Sequence, residues 1–273
     1  MDEHLHHNRL HWDELASIHG DLDSYGHERL VRGESTLRAI ERREFLPLLD
    51  DQSSVLHLQC HIGLDSISLA RHASRVVGVD FSPEAIATAN RLGAGMEELS
   101  FIEQTINPDL HRDVGQFDAV FASYGVLEWI PDVSAWMWAA CNCLKPGGIL
   151  YLVDTHPLAA CLVPATKQGH LVVMDRYFPN AGPHRSSKTG SYADPSKKLS
   201  RPVSFRWFHS LGEIVSSAVT AGMEIGHLHE FPMLHYQRFA DMSEDQDGYW
   251  HLPKSAPAHR PPLMYSLLAR RQS

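Results

Sequence analysis

VLHLQCHIGLDSISLARHASRVVGVDFSPEAI, residues Val55 to Ile86, decides the fold. Val55–Leu58 is a short apolar run of strand length. The turn Gln59-Cys60-His61-Ile62-Gly63 follows. Asp65–His72 has helical spacing, and Arg75–Asp80 is a second strand that closes on an acid. Ser82-Pro83-Glu84 then opens another helix with a capping hydroxyl, a proline at the first helical position and an acid in the first turn. That helix runs to about Leu92. Strand, tight turn, helix, strand is a βαβ unit, which makes the two strands parallel. Gly63 lets the backbone approach a ligand, and an acid ending the second strand can hold two ribose hydroxyls.

The pattern continues on both sides. Leu99–Glu103 reads as a third strand and Phe117–Ser123 as a fourth. Asp132 opens a Trp-rich helix that stops at the glycines of Leu144-Lys-Pro-Gly-Gly148, and Ile149–Asp154 is a fifth strand. Strands alternating with helices imply a parallel sheet covered on both faces. After His156-Pro157 the regularity stops. Residues 157–205 are rich in Pro, Gly, Ser and Lys and read as a cap or lid insertion. A helix over Ser210–Ala221, a strand over Met223–His229, an irregular stretch at 231–261 and a last strand over Leu263–Ala269 follow. Upstream, Leu15, Ile18, Leu30, Leu37, Ile40, Phe45 and Leu48 fall at helical spacing. They predict two or three helices in 12–49, broken at Asp21–Gly26. The chain therefore divides into an N-terminal helical lid segment, 1–49, and a main domain, 50–273. Before Trp12, the His-rich start with His4, His6, His7 and His11 reads as a disordered, solvated segment.

The 273 residues carry a net charge of −9, with 43% hydrophobic and 21% charged residues. This balance disfavours a broad nucleic-acid or anionic-membrane surface. Cys60, Cys141, Cys143 and Cys161 show neither disulfide-scaffold nor zinc spacing, which points to a reducing, cytoplasmic setting without a structural metal. Neither a signal peptide nor an apolar run of membrane-spanning length is visible.

A dinucleotide needs a glycine-rich turn around its pyrophosphate. Here one glycine stands beside Asp65, an acid where phosphate needs a neutral or positive neighbour. S-adenosylmethionine (SAM) has no phosphate and carries a sulfonium cation, so the acid is tolerated. The ordered run "VLHLQCHIGLDSISLA…VVGVDFSPEAI…FDAVFASYGVLEWIPD…LKPGGILYLVDTHP" resembles the class I SAM-dependent methyltransferases, over roughly residues 50–157. That family combines a V-L-D-x-G-C-G-x-G turn, an acid ending strand two, an F-D-x-V strand four and L-[KR]-P-G-G before strand five. The resemblance implies a Rossmann-like α/β fold, a seven-stranded sheet with helices on both faces and its last strand antiparallel. The variant turn looks like that of bacterial small-molecule methyltransferases.

Against the family pattern, His57 stands at the turn's acid, Gln59 and His61 at its first two glycines, and Thr105 at an acid often found after strand three. The expected cofactor contacts are Gln59, Cys60, His61 and Gly63 on the turn, and Asp80 and Phe81 after strand two. Gln104, Thr105 and Ile106 after strand three and Ser123 and Tyr124 after strand four complete them. His156, just past strand five, is the first choice of general base, with His209 beside it. Substrate contacts are expected from Tyr25, Trp129, Trp207, His229 and Tyr236, with Thr36 helping to close the lid. Trp136 and Trp138 fall on different helix faces, so at least one of them packs. Asp118 reads as structural. The implied partner is a small, aromatic or planar metabolite methylated on O, N or C, with neither nucleic acid nor membrane as partner and a homodimer left open. The alternatives are a methyltransferase-like protein that binds SAM or a metabolite without transfer, a dinucleotide oxidoreductase, and a macromolecular methyltransferase.

Overall fold

The computed structural model describes residues 2–20, 27–164, 171–174, 176–178, 182–191, 194, 196–253 and 260–273. Seven strands form the main sheet. We label them β1 (Ser54–Leu58), β2 (Arg75–Asp80), β3 (Leu99–Glu103), β4 (Phe117–Ser123), β5 (Leu144–Thr155), β6 (Met223–Phe231) and β7 (Met264–Arg271). Their spatial order is β3-β2-β1-β4-β5-β7-β6, and β7 runs antiparallel to both its neighbours. The order reverses between β1 and β4, so a crevice opens beyond the carboxyl ends of these strands.

Side chains alternate across the sheet with the period of two that strands impose. Leu56, Leu58, Val120, Leu150 and Leu152 face one way, onto Trp136, Met137, Ile214 and Ala218. Val55, Phe121, Ile149, Tyr151 and Val153 face the other, onto Leu37, Ile40, Phe45 and Leu69. The helices are α1 (Glu3–Gly20), α2 (His27–Val31), α3 (Ala39–Glu44), α4 (Leu64–Leu69), α5 (Pro83–Leu92), α6 (His111–Val114), α7 (Val133–Asn142), α8 (Pro157–Cys161) and α9 (Leu211–Thr220). Hydroxyl or carboxylate caps start three of them. The Ser82, Asp132 and Ser210 oxygens accept from the backbone N–H three residues on, at 3.1, 3.0 and 3.2 Å.

Three expectations are corrected. The His-rich start is not a solvated coil: it belongs to α1, whose Asn8, His11, Leu15, Ala16 and His19 are buried. The Lys-Pro-Gly-Gly segment does not end a helix. It lies inside β5, where Leu144 pairs with Phe117, and α7 has already stopped at Asn142. Gly148 is required there because a Cβ would come within 2.9 Å of the Asp118 carbonyl. Thirdly, 157–205 holds more order than its composition suggests. Leu162–Pro164 pairs with Leu171–Val173, and His184–Ser187 with Val203–Arg206. The last of these strands packs on α1, tying the two covering segments to each other.

Candidate functional site

The crevice is a cavity of about 1430 Å3 that reaches from the first turn to the segment around Tyr236. The turn itself explains how it can lack the family's glycines. Gln59 and His61 sit at φ 55° and 50°, in the left-handed region that glycine adopts without cost. The backbone path is therefore kept and the side chains are used elsewhere. The Gln59 Oε1 accepts from the Trp136 indole at 2.8 Å, and its Nε2 donates to the Val126 carbonyl at 3.1 Å. The turn is thereby fastened to α7 and to the loop after β4. The His61 Nε2 meets His19 Nδ1 of α1 at 2.8 Å, and Trp12 of α1 stands edge-on to His61. What glycine does by absence in the family pattern, these residues do by anchoring the turn on both sides.

Gly63 does not line the cavity. Its φ is 79°, and an added Cβ would lie 2.6 Å from the Phe101 ring. Packing against β3 demands this glycine, rather than ligand approach.

Asp80 is buried at the end of β2. Its carboxylate accepts from the N–H of His61 at 2.9 Å and of Ser82 at 3.0 Å, and burial lifts its pKa to about 6. The Ser82 hydroxyl donates to Asp13 of α1 at 2.6 Å, so the same corner fixes the covering helix. The next acid along the chain after position 57 is Asp65, eight residues on, in the first turn of α4. Its Oδ1 accepts from Thr36 at 2.6 Å and its Oδ2 from Ser123 at 3.2 Å. Burial depresses His57 to about 4, so it stays neutral, hydrogen-bonded to Ser66 at 2.8 Å. At the end of β5 a buried Asp154 accepts from the N–H groups of Gly125, Val126, Leu127 and Thr155. It shapes the loop that carries Trp129.

Cys60, Phe81, Gln104, Thr105, Ile106, Ser123 and Tyr124 all line the cavity with Gln59, His61 and Asp80. The Gln104 amide is partly engaged, because its Nε2 donates to Asp113 at 2.9 Å. Trp129, Trp207, His209 and Tyr236 line it too. Trp136 is buried while Trp138 is exposed, as different helix faces require. Asp118 is structural: it accepts from Ser54 and from Lys145.

Two expected residues lie elsewhere. His156 is buried, and its Nδ1 accepts from the Leu158 N–H at 3.0 Å, capping α8, while Nε2 faces Glu230. It is placed to start a helix rather than to take a proton from a substrate. His229 stands on the face of β6, its Nδ1 3.0 Å from Glu44 and its ring stacked on His227. That strand is the edge of the sheet, two strands beyond β5. Tyr25 falls outside the described residues. His209 lines the cavity, but its Nε2 donates to the Ile130 carbonyl at 2.7 Å, and its other nitrogen faces Glu213.

Sequence reasoning missed His11, Trp12, Arg38, Glu41, Asp154, Lys188, Arg206 and Arg238. His11 Nδ1 donates to the Arg201 carbonyl at 2.7 Å, which leaves Nε2 as the acceptor nitrogen beside Trp129. Burial lowers its pKa, so the ring is neutral near pH 7. The helical recurrence of Asn8, His11, Leu15 and His19 was the signal that these residues share a face.

The site fits an adenosyl cofactor. A left-handed turn and a buried strand-end acid bound one end, and Asp65 offers an anion toward a sulfonium or ammonium group. Asp65 beside the turn disfavours a pyrophosphate by the same electrostatics.

Comparisons with known proteins agree. The profile of a family described as "Methyltransferase domain" matches residues 55–148. The ubiquinone biosynthesis O-methyltransferase of Xylella fastidiosa is 29% identical over 160 residues, 58% of this chain and 63% of that relative, so the match spans less than two thirds of its length. A SAM-dependent methyltransferase structure from Mesorhizobium loti superposes with a TM-score of 0.57 at 19% identity, covering 85% of this chain and 98% of that one. The DhpI–SAH complex gives 0.54 at 18% identity, covering 98% and 97%. These matches give residues 55–148 as a methyltransferase domain, on a sheet whose fold is that of solved SAM-dependent methyltransferases.

Proposed function

We propose that the chain transfers a methyl group from SAM to a small acceptor with an aromatic or planar part. The observation that supports this most is a single cavity that joins the adenosyl end, at Asp80 and the first turn, to an end walled by Trp129, Trp207, Phe208 and Tyr236. Bound there, SAM supplies a methyl carbon on a sulfonium sulfur, and the C–S bond breaks toward sulfur as an acceptor lone pair takes the methyl. The chain's own residues position and enclose. Asp80 holds the ribose, Asp65 the cationic methionine end, and α1 with the 203–206 strand shuts out water. An acceptor that must lose a proton gives it to His11 Nε2, the ring nitrogen not bonded to the Arg201 carbonyl, on a residue that lines the cavity. His156 drops out as the base because it caps a helix. An amine that is already neutral needs no base. No helix among the described residues is long and apolar enough to cross a membrane. The cysteine pattern makes the cytoplasm the expected place of action.

The test is calorimetric titration with SAM, S-adenosylhomocysteine (SAH) and NADH, on the wild type and on Asp80→Ala. Adenosyl ligands are expected to bind, and the substitution to weaken them roughly 10- to 100-fold, the worth of hydrogen bonds to a charged group. No adenosyl binding by folded protein, or binding indifferent to Asp80, would sink the proposal. Binding without turnover across acceptors would favour the non-catalytic alternative.

A further inference from the structure

The far end of the cavity concentrates positive charge in a chain whose net charge is −9. Arg206 ends the strand Val203–Arg206, Lys188 follows the strand paired with it, and Arg238 comes from the irregular stretch after β6. All three line the cavity. Glu128 is the acid that answers them, through an ion pair with Arg206 at 3.1 Å. Arg238 is held in place, because its Nη1 donates to the Tyr236 hydroxyl at 3.1 Å and its Nη2 to the Ala160 carbonyl at 3.0 Å. Yet the Nε atoms of both guanidiniums are buried and lack a hydrogen-bond partner. Lys188 opens into the cavity, and its pKa is lowered, first by desolvation and then by Arg206 and Arg238. Among the described residues, three cations crowd around one carboxylate, and two buried donors are left unmatched. The uneven charge costs stability unless a ligand answers it.

We infer that this end is an anion subsite, in which Lys188, Arg206 and Arg238 grip a carboxylate or phosphate-type group of the methyl acceptor. An oxyanion there neutralises the surplus charge and accepts from the Lys188 ammonium and the guanidinium groups that line the cavity. Guanidinium groups suit it because their donor fork matches planar and tetrahedral oxyanions alike. The aromatic walls fix the rest of the acceptor. The Tyr124 ring lies 4.4 Å from His235, and His235 4.8 Å from Tyr236, whose hydroxyl meets Arg238. This row links the strand end at the cofactor side to the subsite, so the anion anchors a molecule whose other end lies beside the first turn. The assignment of that molecule as the methyl acceptor rests on the methyltransferase reading. The presence of an anion subsite does not.

The probes are benzoate, phenylphosphonate and the neutral isostere benzamide, each titrated calorimetrically into the protein with and without SAH. At least one anion is expected to bind about tenfold or more tightly than benzamide, the scale of a charge-assisted contact. Benzoate ahead assigns a carboxylate, and phenylphosphonate ahead a phosphate-type group. Lys188→Gln and Arg238→Gln are expected to weaken the anions about 5- to 20-fold, in the range of lost bonds to a charged group, and to leave benzamide and SAH unchanged. Lys188→Gln keeps the test open should Arg238→Gln misfold, because Lys188 faces open cavity space. Equal binding of benzamide and the anions, or no anion binding at millimolar concentration, would overturn the subsite. A loss of SAH affinity in Lys188→Gln would assign the cations to the cofactor's own carboxylate and overturn it as well. Failure of SAH to bind the wild type would fall on the methyltransferase reading alone, since the titrations without SAH still decide the subsite.

Discussion

Glu41 is wholly buried on α3, and neither carboxylate oxygen closes a hydrogen bond. The Tyr124 hydroxyl faces it, also without a bond of ordinary geometry. Burial raises the Glu41 pKa from 4.5 to about 7. The folded chain thus holds this proton more tightly than the unfolded chain does. The stabilising effect is complete below pH 4.5 and is lost as pH rises through about 7. Glu41→Gln mimics the protonated form at every pH. It should leave stability near pH 5 almost unchanged and raise it by about 2–4 kcal/mol at pH 8, on the scale of 1.4 kcal/mol per pKa unit. Denaturant unfolding at the two pH values reads the difference, and an equal gain at both would refute the burial account. Such a residue is invisible in sequence, where Ala-Ile-Glu-Arg-Arg-Glu reads as a charged helix face. Asp80 was legible as the acid that ends β2, because the apolar run before it marks the strand. Asp65 was legible as a charge but not as the acceptor for Thr36 and Ser123, since that needs the turn folded. His156 and His229 misled because position along a strand does not say which partner takes the imidazole.

At the scale of elements, α1 shows what periodicity arguments miss. Its buried stripe is Asn8, His11, Leu15, Ala16 and His19, which recurs at helical spacing but is largely polar. These groups are buried because each meets a partner across the cavity roof. The Asn8 amide donates to the Phe205 carbonyl at 2.6 Å and accepts from the Phe205 N–H at 2.8 Å, adding a strand-like pair of bonds to the 203–206 strand. Asn8→Ala leaves both backbone groups unmatched, at a cost of about 1–3 kcal/mol. We expect a lower melting temperature, faster proteolysis within α1 and weaker SAH binding with an unchanged far-ultraviolet spectrum elsewhere. Unaltered proteolysis and unaltered SAH affinity would show that the helix does not work as a cover. The βαβ elements, by contrast, were legible to within a few residues, because caps and apolar runs are local. The continuation of β5 through Lys145-Pro-Gly-Gly148 was not, since pairing with β4 decides it.

For the whole molecule, the parallel sheet followed from the alternation of strands and helices, and the seven strands with an antiparallel last one from the family resemblance. The cavity roof did not, because it joins residues nearly 200 positions apart, such as Asn8 and Phe205. A ligand enclosed by distant segments should stabilise the entire fold. SAH at a hundred times its dissociation constant adds about 2.7 kcal/mol. For a chain of this size that is a rise of roughly 5–10 °C in melting temperature, at 2–4 °C per kcal/mol. A thermal melt with and without SAH measures it, and an unmoved transition would count against binding to the folded state. The four buried cysteines turn the same enclosure into a stopwatch. Cys60 lies on the first turn and Cys143 caps the end of α7, and burial raises both thiols, Cys143 to about 12. A thiol-specific dye therefore stays colourless on the intact protein, and each equivalent of colour marks a local opening. Colour from Cys60 reports an opening at the first turn, and colour from Cys143 an opening at the end of α7.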